Sequence, residues 1–265
     1  MNKLTDIKSI DNYIDSIGGS KDNILGIWET GSFKEGISDE FSDRDFLIIW
    51  DNSIPNNETR LKAANDLGFS IHEIKDVVSI GQSFDLFSDG EFLFNIGHGT
   101  KEKESKWYEV ANSDKVPSDI EEILMSISAL TSSIVYFQKD RWVDNLKKET
   151  QLTDEARQRV ISYFKNKTSA DLKLLEKSTK RKDFLQFIKY LEKILRSFQI
   201  IYLLENNKPI VSPKNFEERF AKIENGEITK LIRQITANTD MDQVFLDTIQ
   251  AAKSLDIEKS EKMKA

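Results

Sequence analysis

The spacing of hydrophobic residues changes several times within the first hundred residues, which predicts a mixture of helices and strands. Apolar residues recur at helical spacing over residues 4–17. The short apolar runs at residues 24–29 and 46–50 are typical of buried strands. The same reading predicts a helix over 58–67 that ends at Gly68, and further strands over 69–74, 83–87 and 91–96.

From residue 118 onward the hydrophobic pattern is helical almost throughout. Apolar positions between 120 and 137 lie on one helical face, residues 154 to about 177 form one or two helices, and residues 183–205 have the strongest periodicity. We therefore predict an α+β fold in two domains. A domain with a small mixed sheet and helices spans 1–112, and an all-α helical bundle spans 117–258. The bundle is completed by shorter helices predicted over 214–224, 228–237 and 240–255.

The composition excludes several classes of function. The chain carries 45 acidic and 38 basic residues, a net charge of −7, whereas polynucleotides are held mainly by lysine and arginine. It contains no cysteine, so disulfides and cysteine-bound zinc are excluded. Residues 1–10 are polar, without the apolar core of a secretory signal, and no run of 18 apolar residues occurs. We expect a cytoplasmic protein that binds neither nucleic acid nor membrane.

The residues that carry chemistry are concentrated between Gly31 and Asp45. Gly31 and Ser32 follow the first predicted strand, and such a turn offers backbone N–H groups to an anion. Asp43 and Asp45 open the second strand, where residues two apart project from the same face. Paired carboxylates with substrate phosphates are what Mg²⁺ prefers. The pattern predicts Mg²⁺ on Asp43 and Asp45, and a triphosphate held by Gly31, Ser32 and Ser42.

A third carboxylate is expected on a neighbouring strand, either as a metal ligand or as a general base toward an acceptor hydroxyl. Asp85, Asp89 and Glu91 are the candidates. Asp89 falls in a predicted turn, a common structural position for aspartate. Glu91 is predicted to start a strand directly after Gly90, and we favour it for both roles. A plainer interpretation is that Glu91 is a surface acid and that the Ser-Asp-x-Asp string is a turn.

These residues resemble a known family. Gly31-Ser32, a spacer and Ser42-Asp43-Arg44-Asp45 before an apolar strand resemble the signature of the DNA polymerase β-like nucleotidyltransferase superfamily. Chain length, the Gly-Glu-Phe segment at 90–92 and the helical second half are most similar to the lincosamide and aminoglycoside antibiotic nucleotidyltransferases. The resemblance implies metal-dependent transfer of AMP to a drug hydroxyl, with Glu91 as general base. Arg44 departs from the family, which usually has an apolar residue between the two acids. We expect it either to cap the phosphates or to point outward.

The expected function is therefore a Mg²⁺-dependent nucleotidyltransferase that moves AMP, or another nucleoside monophosphate, to a hydroxyl of a small molecule. The expected partners are ATP and an acceptor such as a lincosamide or aminoglycoside, and a homodimer is left open. Two alternatives remain. One is an antitoxin-like or regulatory nucleotidyltransferase that modifies or binds a partner protein. The other is a catalytically silent member of the fold.

Overall fold

The chain folds into two compact units. The computed structural model describes residues 8–18, 21–31, 42–77, 82–210 and 227–257. One unit combines Met1–Ala111 with Ala129–Gln151 and contains the sheet; we call it the sheet unit. The other combines Asn112–Ser128 with Leu152–Ala265 and is helical; we call it the helical unit. The predicted α+β class, a mixed sheet with helices followed by a helical part, is confirmed.

The described elements follow one another along the chain in this order. The first half contains α1 (Lys8–Ser16), β1 (Ile24–Thr30), β2 (Arg44–Trp50), α2 (Asn57–Asp66), β3 (Ser70–Val77), β4 (Gln82–Ser88), β5 (Leu93–Thr100) and α3 (Lys101–Ala111). The second half contains α4 (Ile120–Ser132), β6 (Ile134–Gln138), α5 (Trp142–Glu149), α6 (Asp154–Arg181), α7 (Phe184–Glu205), α8 (Glu227–Ala237) and α9 (Met241–Ser254).

The described strands form one six-stranded sheet in the order β3-β4-β5-β2-β1-β6. β2 and β5 are parallel, and the other neighbours are antiparallel. The register places Thr30, Asp45, Asn95, Leu86 and Glu73 in one row across β1, β2, β5, β4 and β3. Because residues directly opposite each other share a face, this row defines one side of the sheet. We call it the site face, and the other side the core face.

Helices α1 and α2 cover the core face. The buried positions of α1 and the residue after it recur at i, i+3, i+4 and i+7, which gives the helix one apolar side. Asn56 starts α2, because its side chain accepts a hydrogen bond from the Thr59 N–H at 2.8 Å. Gly68 follows α2 with a φ of +73°, in the capping position that the sequence predicts. The buried apolar residues here are Ile10, Tyr13, Ile14, Ile17, Ile24, Ile27, Phe46, Ile48, Trp50, Ala63, Ala64, Phe87, Phe94 and Ile96.

The helical unit has its own core, built mainly from α6 and α7. Side chains of Thr153 and Asp183 cap the two helices by accepting the N–H groups of Ala156 and Gln186 at 3.1 and 3.2 Å. The helices predicted over 183–205, 228–237 and 240–255 correspond to α7, α8 and α9. The helix predicted over 214–224 lies outside the described residues. Among the helices that the structure describes, none has the length and apolar character needed to cross a membrane.

The segment after residue 117 differs from its prediction. The sequence assigns all of 117–258 to the helical domain, whereas Ala129–Gln151 belongs to the sheet unit. Helix α4 ends at Ser132, and the next residues form β6, which pairs antiparallel with β1 at the edge of the sheet. The sequence Ile-Val-Tyr-Phe-Gln suits a strand, but its apolar residues also fit the helical spacing of α4. Pairing with the distant β1 decides between the two.

Candidate active site

Two aspartates lie together at the start of β2, on the site face. Asp45 is half-buried, and its Oδ1 accepts a hydrogen bond from Asn95 Nδ2 at 2.9 Å. Asp43 directly precedes β2 and lines, together with Asn95, a cleft on this face. The structure thus brings the two predicted metal ligands together and adds the Asn95 amide from the parallel neighbour β5. The hydrogen bond fixes the orientation of one carboxylate.

Gly31 lies against the Asp45 carboxylate. It follows β1 directly and has a φ of +79°, in the left-handed region that favours glycine. A Cβ atom at this position would overlap with Asp45 Oδ2, so there is no room for any other residue. Ser42 is half-buried directly before Asp43, and Ser32 lies outside the described residues. Phosphate binding by Gly31, Ser32 and Ser42 stays a prediction.

Replacing Gly31 with alanine is expected to displace the Asp45 carboxylate, in addition to straining the backbone. Gly18 provides a matched control, since it has the same φ of +79° but no atom within 4 Å of a Cβ built on it. Both Gly18→Ala and Gly31→Ala should lose about 1–2 kcal/mol of unfolding free energy through the left-handed backbone. Only Gly31→Ala should weaken binding of Mn²⁺, measured by isothermal titration calorimetry. Equal Mn²⁺ affinity in both variants would contradict contact with a metal ligand.

Arg44, between the two aspartates, points away from them into the core face. Its guanidinium makes a two-pronged ion pair with Glu29, with Nε 2.8 Å from Oε1 and Nη2 3.1 Å from Oε2. Tyr136 OH donates to Glu29 at 2.5 Å, and burial together with this carboxylate raises the pKa of Tyr136 to about 12. The guanidinium also lies over the Phe46 ring at 5.1 Å. Arg44 is therefore buried on the core face, away from the two aspartates, and does not point outward.

The Glu29–Arg44 pair joins β1 to β2 at the end of the sheet where Gly31 and Asp43 emerge. Both side chains are about 2% exposed, and removing one partner leaves a buried, unpaired charge. Arg44→Met should therefore cost about 3–5 kcal/mol of unfolding free energy, and Glu29→Met/Arg44→Met should recover most of that loss. Urea titration of the two variants checks this. A double variant no more stable than the single one would contradict the account.

Asp85, one candidate for the third carboxylate, lies on the core face and is fully buried. Arg60 Nη1 lies 2.6 Å from its Oδ1, and Tyr13 OH donates to its Oδ2 at 2.7 Å. His98 Nε2 lies 2.6 Å from the same Oδ2, and Trp50 Nε1–H donates to His98 Nδ1 at 3.2 Å. Because indole can only donate, His98 Nδ1 is an acceptor and its Nε2 carries the proton shared with Asp85. Asp85 is a structural residue.

Asp89 and Glu91 lie in the turn between β4 and β5. Burial disfavours the charge of Asp89, but hydrogen bonds from Ser9 and from the Phe92 and Glu91 N–H groups outweigh it and lower its pKa. These bonds and the positive φ of Gly90 hold a turn, so β5 begins at Leu93 and not at the predicted residue 91. Glu91 is exposed in this turn. Its roles as metal ligand and general base stay predictions.

The position of this turn is compatible with the predicted role of Glu91. β2 and β5 run parallel with Arg44 opposite Phe94, so the residues preceding each strand lie at the same edge of the sheet. Gly31 reaches that edge as well, because Thr30 pairs antiparallel with Asp45. Gly31, the two aspartates and the Glu91 turn therefore share one edge.

The carboxylate oxygens of Asp43 and Asp45 suit a hard cation. Within the part of the chain that the structure describes, no group of three or more acidic, histidine or cysteine side chains is arranged to hold a metal ion. Mg²⁺ nevertheless binds commonly through one or two carboxylates, with waters and substrate phosphates completing its shell. Asp43 and Asp45 meet that requirement, and the glycine at position 31 leaves backbone, not a side chain, beside the Asp45 carboxylate. The residues fit Mg²⁺.

Sequence reasoning missed Asn95 and Glu29. Asn95 is the polar residue in the apolar run Phe-Leu-Phe-Asn-Ile, and Glu29 is the acid that ends the apolar run of β1. A polar residue at such a position is a signal of a buried partner. The identity of the partner depends on the strand order, which the local pattern does not contain.

Comparisons with known proteins give neighbours in structure only. The sequence matches no protein-family model, and no curated protein sequence matches it. A nucleotidyltransferase-like protein from Exiguobacterium sibiricum is similar in structure with a TM-score of 0.47 and 12% identity, over 93% of this chain and 72% of that one. Spectinomycin adenyltransferase AAD(9) from Enterococcus faecialis, crystallised with ATP and spectinomycin, gives a TM-score of 0.40 and 13% identity, over 95% of this chain and all of that one.

Proposed function

We propose that the chain is a Mg²⁺-dependent nucleotidyltransferase that moves AMP from ATP to a hydroxyl of a small molecule. One observation carries the proposal: Asp43 and Asp45 lie together on the site face, with the backbone of Gly31 against the Asp45 carboxylate. Carboxylates beside a side-chain-free turn are the arrangement that a metal–triphosphate complex needs. An aminoglycoside, a lincosamide or spectinomycin is the acceptor class that we infer.

The reaction makes one bond and breaks one. The acceptor oxygen bonds to the α-phosphorus, the bond from that phosphorus to the bridging oxygen breaks, and pyrophosphate leaves. Held by Asp43 and Asp45, Mg²⁺ supplies charge neutralisation of the triphosphate and polarisation of the reacting phosphoryl group. Asn95 orients Asp45 through the 2.9 Å hydrogen bond, and Gly31 offers backbone N–H to the phosphates.

The hydroxyl proton needs an acceptor. Glu91 is the group that we propose for it, because its turn lies at the same edge of the sheet as Asp43. A carboxylate general base typically contributes about 10²–10⁴-fold to the rate.

Incubation with Mg²⁺ and ATP across a panel of aminoglycosides, lincosamides and spectinomycin tests the function. Pyrophosphate release that depends on one acceptor, together with a product whose mass equals acceptor plus AMP minus water, is the expected result. Binding of Mg²⁺·ATP without any adenylylated acceptor would contradict small-molecule transfer.

A second candidate is a nucleotide-binding protein that keeps the fold without transfer. The observation that favours it is Asn95, a neutral amide where a carboxylate from β5 would face Asp45. Asn95→Asp separates the two candidates. Activity that appears only in Asn95→Asp would identify a silent site, whereas an active wild-type chain excludes it.

A further inference from the structure

The cleft beside Asp43 extends across the site face away from Gly31. It has a volume of about 420 Å³ and an open mouth. Its walls come from β5, β4, β3 and the residue directly before β2, all within the sheet unit. The lining residues are Asp43, Asn95, Leu86, Phe84, Lys75 and Glu73.

We propose that this cleft binds the acceptor, and that the acceptor is an alcohol of at least two rings carrying an amine that pairs with Glu73. The proposal rests on the function proposed above. In this arrangement, residues of β3 and β4 select the acceptor. Asp43 lies at one end of the cleft and Glu73 at the other, so hydroxyl and amine are recognised by different strands.

Strand order decides which substrate occupies the cleft. β1 and β5 flank β2 on opposite sides. Gly31, the phosphate turn, follows β1, whereas Asn95 and the cleft lie on the β5 side. The triphosphate and the cleft therefore approach Asp43 and Asp45 from opposite sides. In-line displacement needs the attacking hydroxyl opposite the leaving pyrophosphate, and the β5 side provides that direction.

The residues that line the cleft determine which class of acceptor it can bind. Phe84 and Leu86 are half-buried and adjacent on β4, an apolar floor for the C–H face of a ring. Gly97 lies beside them on β5, and the Leu47 side chain occupies the space above it, since a Cβ at Gly97 would lie 2.7 Å from Leu47 Cδ1. The floor is therefore apolar. An apolar floor with polar ends suits a ring system better than a flexible polar chain.

Glu73 supplies the charge that selects an amine. Its Oε2 lies 2.7 Å from Lys75 Nζ, but their side chains are 51% and 47% exposed, and such an exposed pair is weak. A ligand ammonium can take the place of Lys75. Three strand-to-strand steps separate Asp45 from Glu73, about 14 Å at the usual spacing of about 4.8 Å. A single ring is too short for that span, which is why two rings are required.

The test combines turnover with a binding measurement that needs no turnover. Neamine, a two-ring amino sugar, is compared with trehalose, a two-ring sugar without amines. The wild-type Leu86 methyl resonances should shift with neamine and not with trehalose, and Glu73→Gln should abolish the shift. In turnover, Glu73→Gln should raise KM for an amine-bearing acceptor about tenfold with little change in kcat. Glu58→Gln, which removes an exposed acid from α2, is the matched control.

The outcomes separate this inference from the proposed function. Leu86 shifts that depend on Glu73 support the acceptor site even when no product forms, and in that case the nucleotidyl transfer proposal alone fails. Turnover with an unchanged KM in Glu73→Gln overturns the inference and leaves the function standing. Absence of any Leu86 shift with neamine also overturns it, as does an equal shift with trehalose.

Discussion

Asp45→Asn is expected to reduce nucleotidyl transfer by at least about 10²–10³-fold, with the fold intact. Asparagine has the shape of aspartate, and its side-chain oxygen can still accept the hydrogen bond from Asn95 Nδ2. Only the negative charge toward the metal is lost. A 10³-fold loss corresponds to about 4 kcal/mol of transition-state stabilisation, so the effect is large against any small change in packing.

Asp51→Asn is the matched control for this prediction. Asp51 directly follows β2 at its opposite end, and its Oδ2 lies 3.8 Å from Lys139 Nζ with both side chains 37% exposed. Such a pair contributes at most about 1 kcal/mol, so activity should stay within a few-fold of wild type. Pyrophosphate release measures both variants. Equal activities of Asp45→Asn and wild type would remove Asp45 from the catalytic machinery.

Arg60→Met is expected to produce a large loss of stability. It leaves the Asp85 carboxylate buried without the cation that now lies 2.6 Å from it. Breaking one side of a fully buried ion pair costs about 3–5 kcal/mol. Asp76 also loses its contact with Arg60 and keeps a hydrogen bond from Ser83 Oγ at 2.6 Å.

The sheet unit offers a selective probe for this measurement. All four tryptophans of the chain, Trp28, Trp50, Trp107 and Trp142, lie in the sheet unit. Urea unfolding followed by tryptophan fluorescence therefore reports on the unit that contains Arg60. Lys62→Met, an exposed position on the same helix, should lie within about 0.5 kcal/mol of wild type. A similarly small effect of Arg60→Met would contradict a stabilising role for the Arg60–Asp85 pair.

The sequence was sufficient where structure is local. The apolar run at residues 46–50 predicts a buried strand, and β2 covers that run from Arg44 to Trp50. Gly68 predicted the end of α2 for a similar reason, since a left-handed residue after a helix is a local requirement. Helix α7 has enough consecutive turns for its apolar period to be unambiguous.

Contacts between residues far apart in the sequence limited what could be predicted from the sequence alone. Ile134 and Phe137 fit a helical face as well as a strand, and only contact with β1 makes them part of β6. Arg44 was placed near phosphates or solvent because its partner Glu29 lies 15 residues earlier on another strand. Glu73 lies in one row with Asp45 only because β4 and β5 stand between β3 and β2 in the sheet. None of these juxtapositions is contained in a window of ten or twenty residues.

Binding of Mn²⁺ in the presence of a non-hydrolysable ATP analogue, followed by electron paramagnetic resonance, tests the central claim most directly. The claim is that Asp43 and Asp45 hold the cation that carries the triphosphate. Wild type and Asp51→Asn should bind Mn²⁺ with the same affinity, and Asp45→Asn should bind it at least about tenfold more weakly. Equal affinity in Asp45→Asn and wild type would contradict the assignment of the metal to this pair.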